Sequence, residues 1–167
     1  MTGIGNQAQI LKYRLLVAER RQVDDPLKLA HAVRHLGDAY RRAGKTALAE
    51  PCYLEALSIY RDREDSPPLD LANAVRGFAL LKQETGALAE AEELWREAHD
   101  LYLAVEVLAG VAGSSASLAL IAKEQGKLEL SRDWLDQATT FADRSGDDEV
   151  QEYVRTVETQ LKGSLTG

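Results

Sequence analysis

The chain has 167 residues, enough for one domain or one short array of repeats with a continuous core, and it carries a formal net charge of −7. That balance argues against broad nonspecific binding to nucleic acid, whose polyanionic backbone rewards clustered Lys and Arg; the single cysteine, Cys52, excludes an internal disulfide and fits a reducing compartment, so a cytoplasmic location is expected. No run approaches the roughly 18 apolar residues of a membrane span, and residues 1–12 lack the basic segment and apolar core of a secretory signal, so the expectation is a complete, soluble chain with no membrane partner.

From the N-terminus, Ile4, Ala8, Leu11, Leu15 and Ala18 fall on one stripe of a helix expected over 4–22, the leading half of a repeat with Tyr13 at its aromatic position. Three longer segments follow, 27–62, 69–104 and 109–144, each made of two periodic stretches that meet at a glycine: Gly44, Gly86 and Gly126. Such a glycine, adopting the left-handed conformation without steric cost, marks a hairpin turn between two helices. A last stretch, 148–162, places Val150, Tyr153, Val154, Val157 and Leu161 at helical spacing and reads as a cap. Val154 stands where a small residue would be needed for a further helix to dock, and Gln151, Glu152, Arg155 and Glu158 form a polar outer face. The four prolines, Pro26, Pro51, Pro67 and Pro68, are placed outside the periodic segments, and the stretches between them have helix-forming composition. About eight helices are expected.

The three central segments are copies of one another. Val33, Leu36, Gly37, Tyr40, Gly44, Ala49, Tyr53 and Ala56 recur 42 residues later as Val75, Phe78, Ala79, Lys82, Gly86, Ala91, Trp95 and Ala98. A third copy follows at a spacing of 40 as Ser115, Leu118, Ala119, Ala122, Gly126, Ser131, Leu135 and Ala138. Leu36, Phe78 and Leu118 each precede a small residue, which suits a site where a second helix approaches closely. Ala49, Ala91 and Ser131, four residues before Tyr53, Trp95 and Leu135, set a small and a large side chain on one helical face. Burying each large residue contributes on the order of 1.5–3 kcal/mol before entropy, so three stacked pairs suffice without metal or disulfide.

These spacings resemble the tetratricopeptide repeat, and the 42-residue period resembles the longer repeats of kinesin light chains and of many bacterial proteins. The likeness covers about residues 27–144 and includes a proline shortly before Leu-Ala at Pro26 and Pro68. It implies an all-α fold, a right-handed α-α superhelix of three repeats plus capping helices in a single domain spanning 1–167, acting as a non-enzymatic scaffold for proteins. Where the longer type often carries paired Asn residues, this chain has Arg34-His35, Arg76-Gly77 and Ala116-Ser117, so the resemblance does not extend to those positions.

No catalytic constellation emerges. His31 and His35 share a helical face, but Ala32 stands where a zinc-protease helix needs Glu and no third ligand is suggested, so neither metal nor cofactor is expected. Cys52 lies between buried positions and reads as a core thiol. The run Gly110-Val-Ala-Gly113 lacks the lysine and preceding strand of a phosphate loop. The natural ligand surface of stacked helix pairs is the first-helix face, here His31, Arg34, Asp38 and Arg41, then Asn73, Arg76, Leu80 and Gln83, then Gly113, Ala116, Leu120 and Lys123. Arg34 and Arg76, one repeat apart, suit carboxylates of an acidic peptide, with Leu80 and Leu120 receiving an apolar side chain. The apolar stretch 101–112 has two readings, a packed junction or a patch through which a homo-oligomer forms.

Overall fold

A computed structural model describes residues 2–163, with side chains from residue 5 onward. Among the described residues there are eight helices and no strand: α1 (Thr2–Arg20), α2 (Pro26–Arg42), α3 (Thr46–Arg61), α4 (Pro68–Glu84), α5 (Leu88–Ala104), α6 (Leu108–Glu124), α7 (Leu128–Ser145) and α8 (Asp148–Gly163). The all-α expectation is what the structure shows. The chain divides into two compact units, Met1–Ala87 with α1 to α4 and Leu88–Gly167 with α5 to α8.

Local chemistry sets the helix ends. Pro26 and Pro68 occupy first helical positions, where the missing N–H would have had no partner, and the Asp25 carboxylate caps α2 by accepting the Lys28 N–H at 3.1 Å. Gly44, Gly86 and Gly126 have φ of 69°, 79° and 75°. Around each, the next residue's N–H reaches back five positions, as from Lys45 to the Tyr40 carbonyl at 2.9 Å, closing the helix and launching its successor in one turn. The same bond runs from Val107 to Tyr102 at 3.0 Å, and there the left-handed residue is Glu106, φ 57°. Its place is dictated by a 20-residue rhythm, since Gly86, Glu106, Gly126 and Gly146 all have positive φ. A side chain in that conformation costs about 1 kcal/mol relative to glycine. Glu106→Gly is therefore expected to raise the melting temperature by a few degrees, read by circular dichroism; no rise would show that the Glu106 side chain offsets its backbone strain.

In the first unit α2 packs on α1, α3 and α4. Val33, Ala49, Tyr53, Ala56 and Val75 are at most 1 % exposed, so the repeat positions form the core. Gly37 lets α3 approach: a Cβ there would stand 3.2 Å from the Cys52 Cβ and 3.3 Å from the Tyr53 ring. In the second unit Ser115, Leu118 and Ala138 are buried likewise, and α8 packs on α6 and α7. Its Val154 and Val157 join Ala112, Ala116, Ala138 and Ala142 in one cluster.

Three expectations need correction. The stripe assigned to α1 is its outward face: Ala8 and Ala18 are exposed, Leu11 is 58 % and Leu15 64 % exposed, and the side chain of Ile4 lies outside the described residues. The packed face is Ile10, Tyr13 and Val17, with Tyr13 stacked on His35 at a centroid distance of 5.1 Å. Helical periodicity fits both faces of a helix that is apolar on both, and the ring stack selects one. Pro51 lies inside α3, exposed, rather than between periodic segments. Val154 is buried against α6 and α7, so its bulk packs inward rather than standing where a further helix would dock, and Glu152 and Arg155 are exposed. In 101–112 the structure buries Tyr102, Val111 and Ala112 and leaves Leu103 46 % exposed.

Candidate functional site

The first unit holds most of the residues singled out for binding, and the structure sorts them into two groups. One is a buried polar knot. Asp38 on α2 is 8 % exposed; its Oδ1 accepts the Tyr53 phenol of α3 at 2.7 Å and its Oδ2 accepts Arg34 Nη1 at 3.0 Å. A third helix closes over it at Gly77, where a Cβ would fall 2.6 Å from Tyr53 Cε1 and 3.1 Å from Asp38 Oδ1. Burial, then the Asp38 charge, push the Tyr53 phenol far above its ordinary range, so it is a permanent donor. Arg41 completes the knot by reaching across to Glu84 on α4 at 2.5 Å. Asp38 thus faces inward, and Arg34 and Arg41, with side chains 11 % and 14 % exposed, are held by carboxylates of their own chain.

His35 belongs to this knot. Arg34 Nη2 donates to its Nε2 at 2.7 Å. Guanidinium has no acceptor, so Nε2 accepts and the neutral ring carries its proton on Nδ1. Burial first, then the charges of Arg34 and His31, bring its pKa down to about 4. The folded ring refuses a proton that the unfolded chain accepts near 6.5. The penalty on folding is absent above that pH and grows as pH falls to about 4. The shift sets a ceiling of roughly 3 kcal/mol, and solvent screening of a partly exposed ring brings the expectation to about 2 kcal/mol. Urea titrations at pH 7 and pH 4 should show His35→Gln losing less stability on acidification than the parent by that amount; equal losses would refute the assignment.

The second group lies open. His31 is exposed and edge-on to His35 at 4.5 Å between ring centroids. With Leu16, Arg20, Leu27, Lys28 and Asp70 it lines a hollow of about 270 Å³. On α4, Asn73, Arg76, Leu80 and Gln83 succeed one another at helical spacing on one face; Arg76 is exposed and the other three are half-buried. Arg76, in register with Arg34, has no ion-pair partner among the described residues, so the two guanidiniums differ in kind.

In the second unit α8 covers the corresponding surface. Leu120 is half-buried against the cluster that includes Val154 and Val157. Lys123 Nζ donates to the Gln160 carbonyl at 2.8 Å, the Ser117 hydroxyl meets the Tyr153 hydroxyl at 3.1 Å, and Val150 stands over Gly113. Leu120 and Lys123 are therefore tied to α8.

Elsewhere, Cys52 is half-buried, its thiol donates to the Leu48 carbonyl at 3.3 Å, and burial pushes its pKa up to about 11. Among the described residues no three His, Cys, Asp or Glu side chains group closely enough to hold a metal, and no helix is long and apolar enough to cross a membrane.

No protein-family model matches the sequence, and no curated protein matches it. Solved structures do. BtubC (BKLC) from P. vanneervenii superposes with a TM-score of 0.77 at 23 % identity over 95 % of this chain and 66 % of its own length. Aspartyl phosphate phosphatase F from Bacillus subtilis superposes with a TM-score of 0.81 at 10 % identity over 91 % of this chain and 39 % of its own. The chain spans less than two thirds of either protein. At these identities the likeness defines the fold alone, an all-α helical-repeat fold of the tetratricopeptide-like kind.

Proposed function

We propose that the protein is a non-enzymatic interaction module, and that in its first unit the α4 face of Asn73, Arg76, Leu80 and Gln83 receives an acidic peptide segment of a partner. The observation that carries this reading is the contrast between two arginines one repeat apart. Arg34 spends its charge on Asp38, whereas Arg76 presents a guanidinium to solvent with no carboxylate of its own. A planar fork so exposed matches a carboxylate in bidentate fashion, and Leu80 four residues on offers an apolar shelf. The helical-repeat fold supports the reading, because such folds expose the same face of successive helices to a ligand.

The test is a titration of a labelled acidic peptide at two salt concentrations. Arg76→Ala is expected to weaken binding about tenfold and to flatten the salt dependence, with the melting temperature unchanged. Arg34→Ala is expected instead to lower the melting temperature. Equal affinity of the parent and Arg76→Ala would eliminate this face as the site.

A further inference from the structure

The second unit contains a cleft that the reading above does not use. It lies where the C-terminal end of α6, the first turns of α7 and the C-terminal end of α8 meet, and has a volume of about 360 Å³, within the size range of ligand pockets. Leu128, Leu135 and Leu161 give it apolar walls, and Lys123, Arg132 and Lys162 bring three cations to its lining. The charges around it make that gathering specific. Residues 88–167 contain seven Lys and Arg against sixteen Asp and Glu, yet three of the seven line this cleft and none of the sixteen does. On an acidic unit this cleft is concave, apolar and cation-bearing, and it joins elements more than thirty residues apart in sequence.

We infer that this cleft binds a short acidic peptide segment carrying one or two large apolar side chains, the apolar group entering between Leu128, Leu135 and Leu161 and the carboxylates meeting Arg132 and Lys162. The choice of peptide over a long-chain fatty acid follows from charge. Three cations line the cleft, and a fatty acid would bring a single carboxylate where an acidic segment brings several along with its apolar side chains. The cations are available for the purpose. Arg132 pairs with Glu129 at 2.9 Å, but these side chains are 62 % and 88 % exposed, and Lys162 pairs with Glu158 one turn before it. Exposed pairs of this kind contribute little and give way readily to an incoming carboxylate. Lys123 has the other role: its bond to the Gln160 carbonyl holds the end of α8, and with it Leu161, over the cleft.

The experiment is fluorescence anisotropy with a labelled hexapeptide, Ser-Glu-Asp-Leu-Asp-Leu, on the full chain. Leu128→Glu puts a negative charge at the mouth and in the first turn of α7, where it suits the helix dipole, so the variant folds. It is expected to weaken binding at least tenfold, as is Arg132→Ala combined with Lys162→Ala. The same peptide with both leucines replaced by serine should bind at least tenfold more weakly than the parent peptide. Arg76→Ala changes the face of the first unit and not this cleft; a protein that still loses affinity in Leu128→Glu when Arg76 is already replaced assigns that loss to the cleft. Affinity unaffected by Leu128→Glu, no measurable binding, or decanoate displacing the peptide at lower concentration than unlabelled peptide does would each overturn the inference.

Discussion

Asp38→Ala is expected to lower the stability of the protein by about 3–4 kcal/mol, seen as a drop of roughly ten degrees in the helical melt. The carboxylate is the shared acceptor for two donors on different helices, the Tyr53 phenol and Arg34 Nη1, and it is almost wholly removed from water. Deleting it strands both. Arg34 would keep only its bond to the neutral His35 ring, with no second carboxylate to take its charge, and its Nε is already buried with no hydrogen-bond partner among the described residues. A hydrogen bond lost with both partners removed costs little, whereas a buried charge left without its counter-ion costs several kcal/mol. The comparison variant is Tyr53→Phe, which removes one neutral donor, leaves the Arg34–Asp38 pair intact and should cost only about 1 kcal/mol. In the double variant the two losses should fall short of their sum, because the Tyr53 bond can be lost only once. If Asp38→Ala cost no more than Tyr53→Phe, the knot would be a solvated surface feature, and Arg34 would return to the candidates for ligand contact.

That knot explains why the fold was legible in the sequence while its candidate site was only partly so. Repeat positions are read from burial and steric need. Leu36, Phe78 and Leu118, the small residues after them and the glycines at 44, 86 and 126 each answer a local demand that recurs every 40 or 42 residues. Polar partners answer to tertiary neighbours. Asp38 lies on the face assigned to ligand, and its inward turn depends on Tyr53 from α3 and on the gap left by Gly77 of α4. A signal was nonetheless present: Asp38 aligns with Leu80 and Leu120, and Tyr53 with Trp95 and Leu135, so acid and phenol occur together in the first copy and are absent together from the others. The break between residues 104 and 109 was legible, but its left-handed residue, Glu106, was hidden because no glycine marks it, and the orientation of α1 because both its faces are apolar. The cleft of α6, α7 and α8 could not be read at all, since helix ends far apart in sequence assemble it.

Two glycines on one helix give the sharpest check of the packing. Gly110 and Gly113 both lie in α6, where replacing glycine by alanine gains up to about 1 kcal/mol of helix propensity. At Gly113 nothing opposes the gain, for an added Cβ would meet only Val150 Cγ2, at 3.9 Å, an ordinary contact. At Gly110 the added Cβ would press against the root of the Tyr102 ring, 2.7 Å from Cδ2 and closer still to Cγ and Cδ1. The ring cannot yield as the tip of a flexible chain would: the clash is at its root, Tyr102 is 2 % exposed, and the Glu106 turn holds α5 and α6 together immediately beyond. Overpacking of this kind costs about 3 kcal/mol, so Gly110→Ala should destabilise by about 2 kcal/mol net of propensity while Gly113→Ala stabilises by up to about 1 kcal/mol. The opposite signs separate packing from propensity within a single helix. Both variants moving the urea midpoint the same way would mean that α5 and α6 do not meet at Gly110, and that the small residues of α6 serve the helix rather than its neighbour.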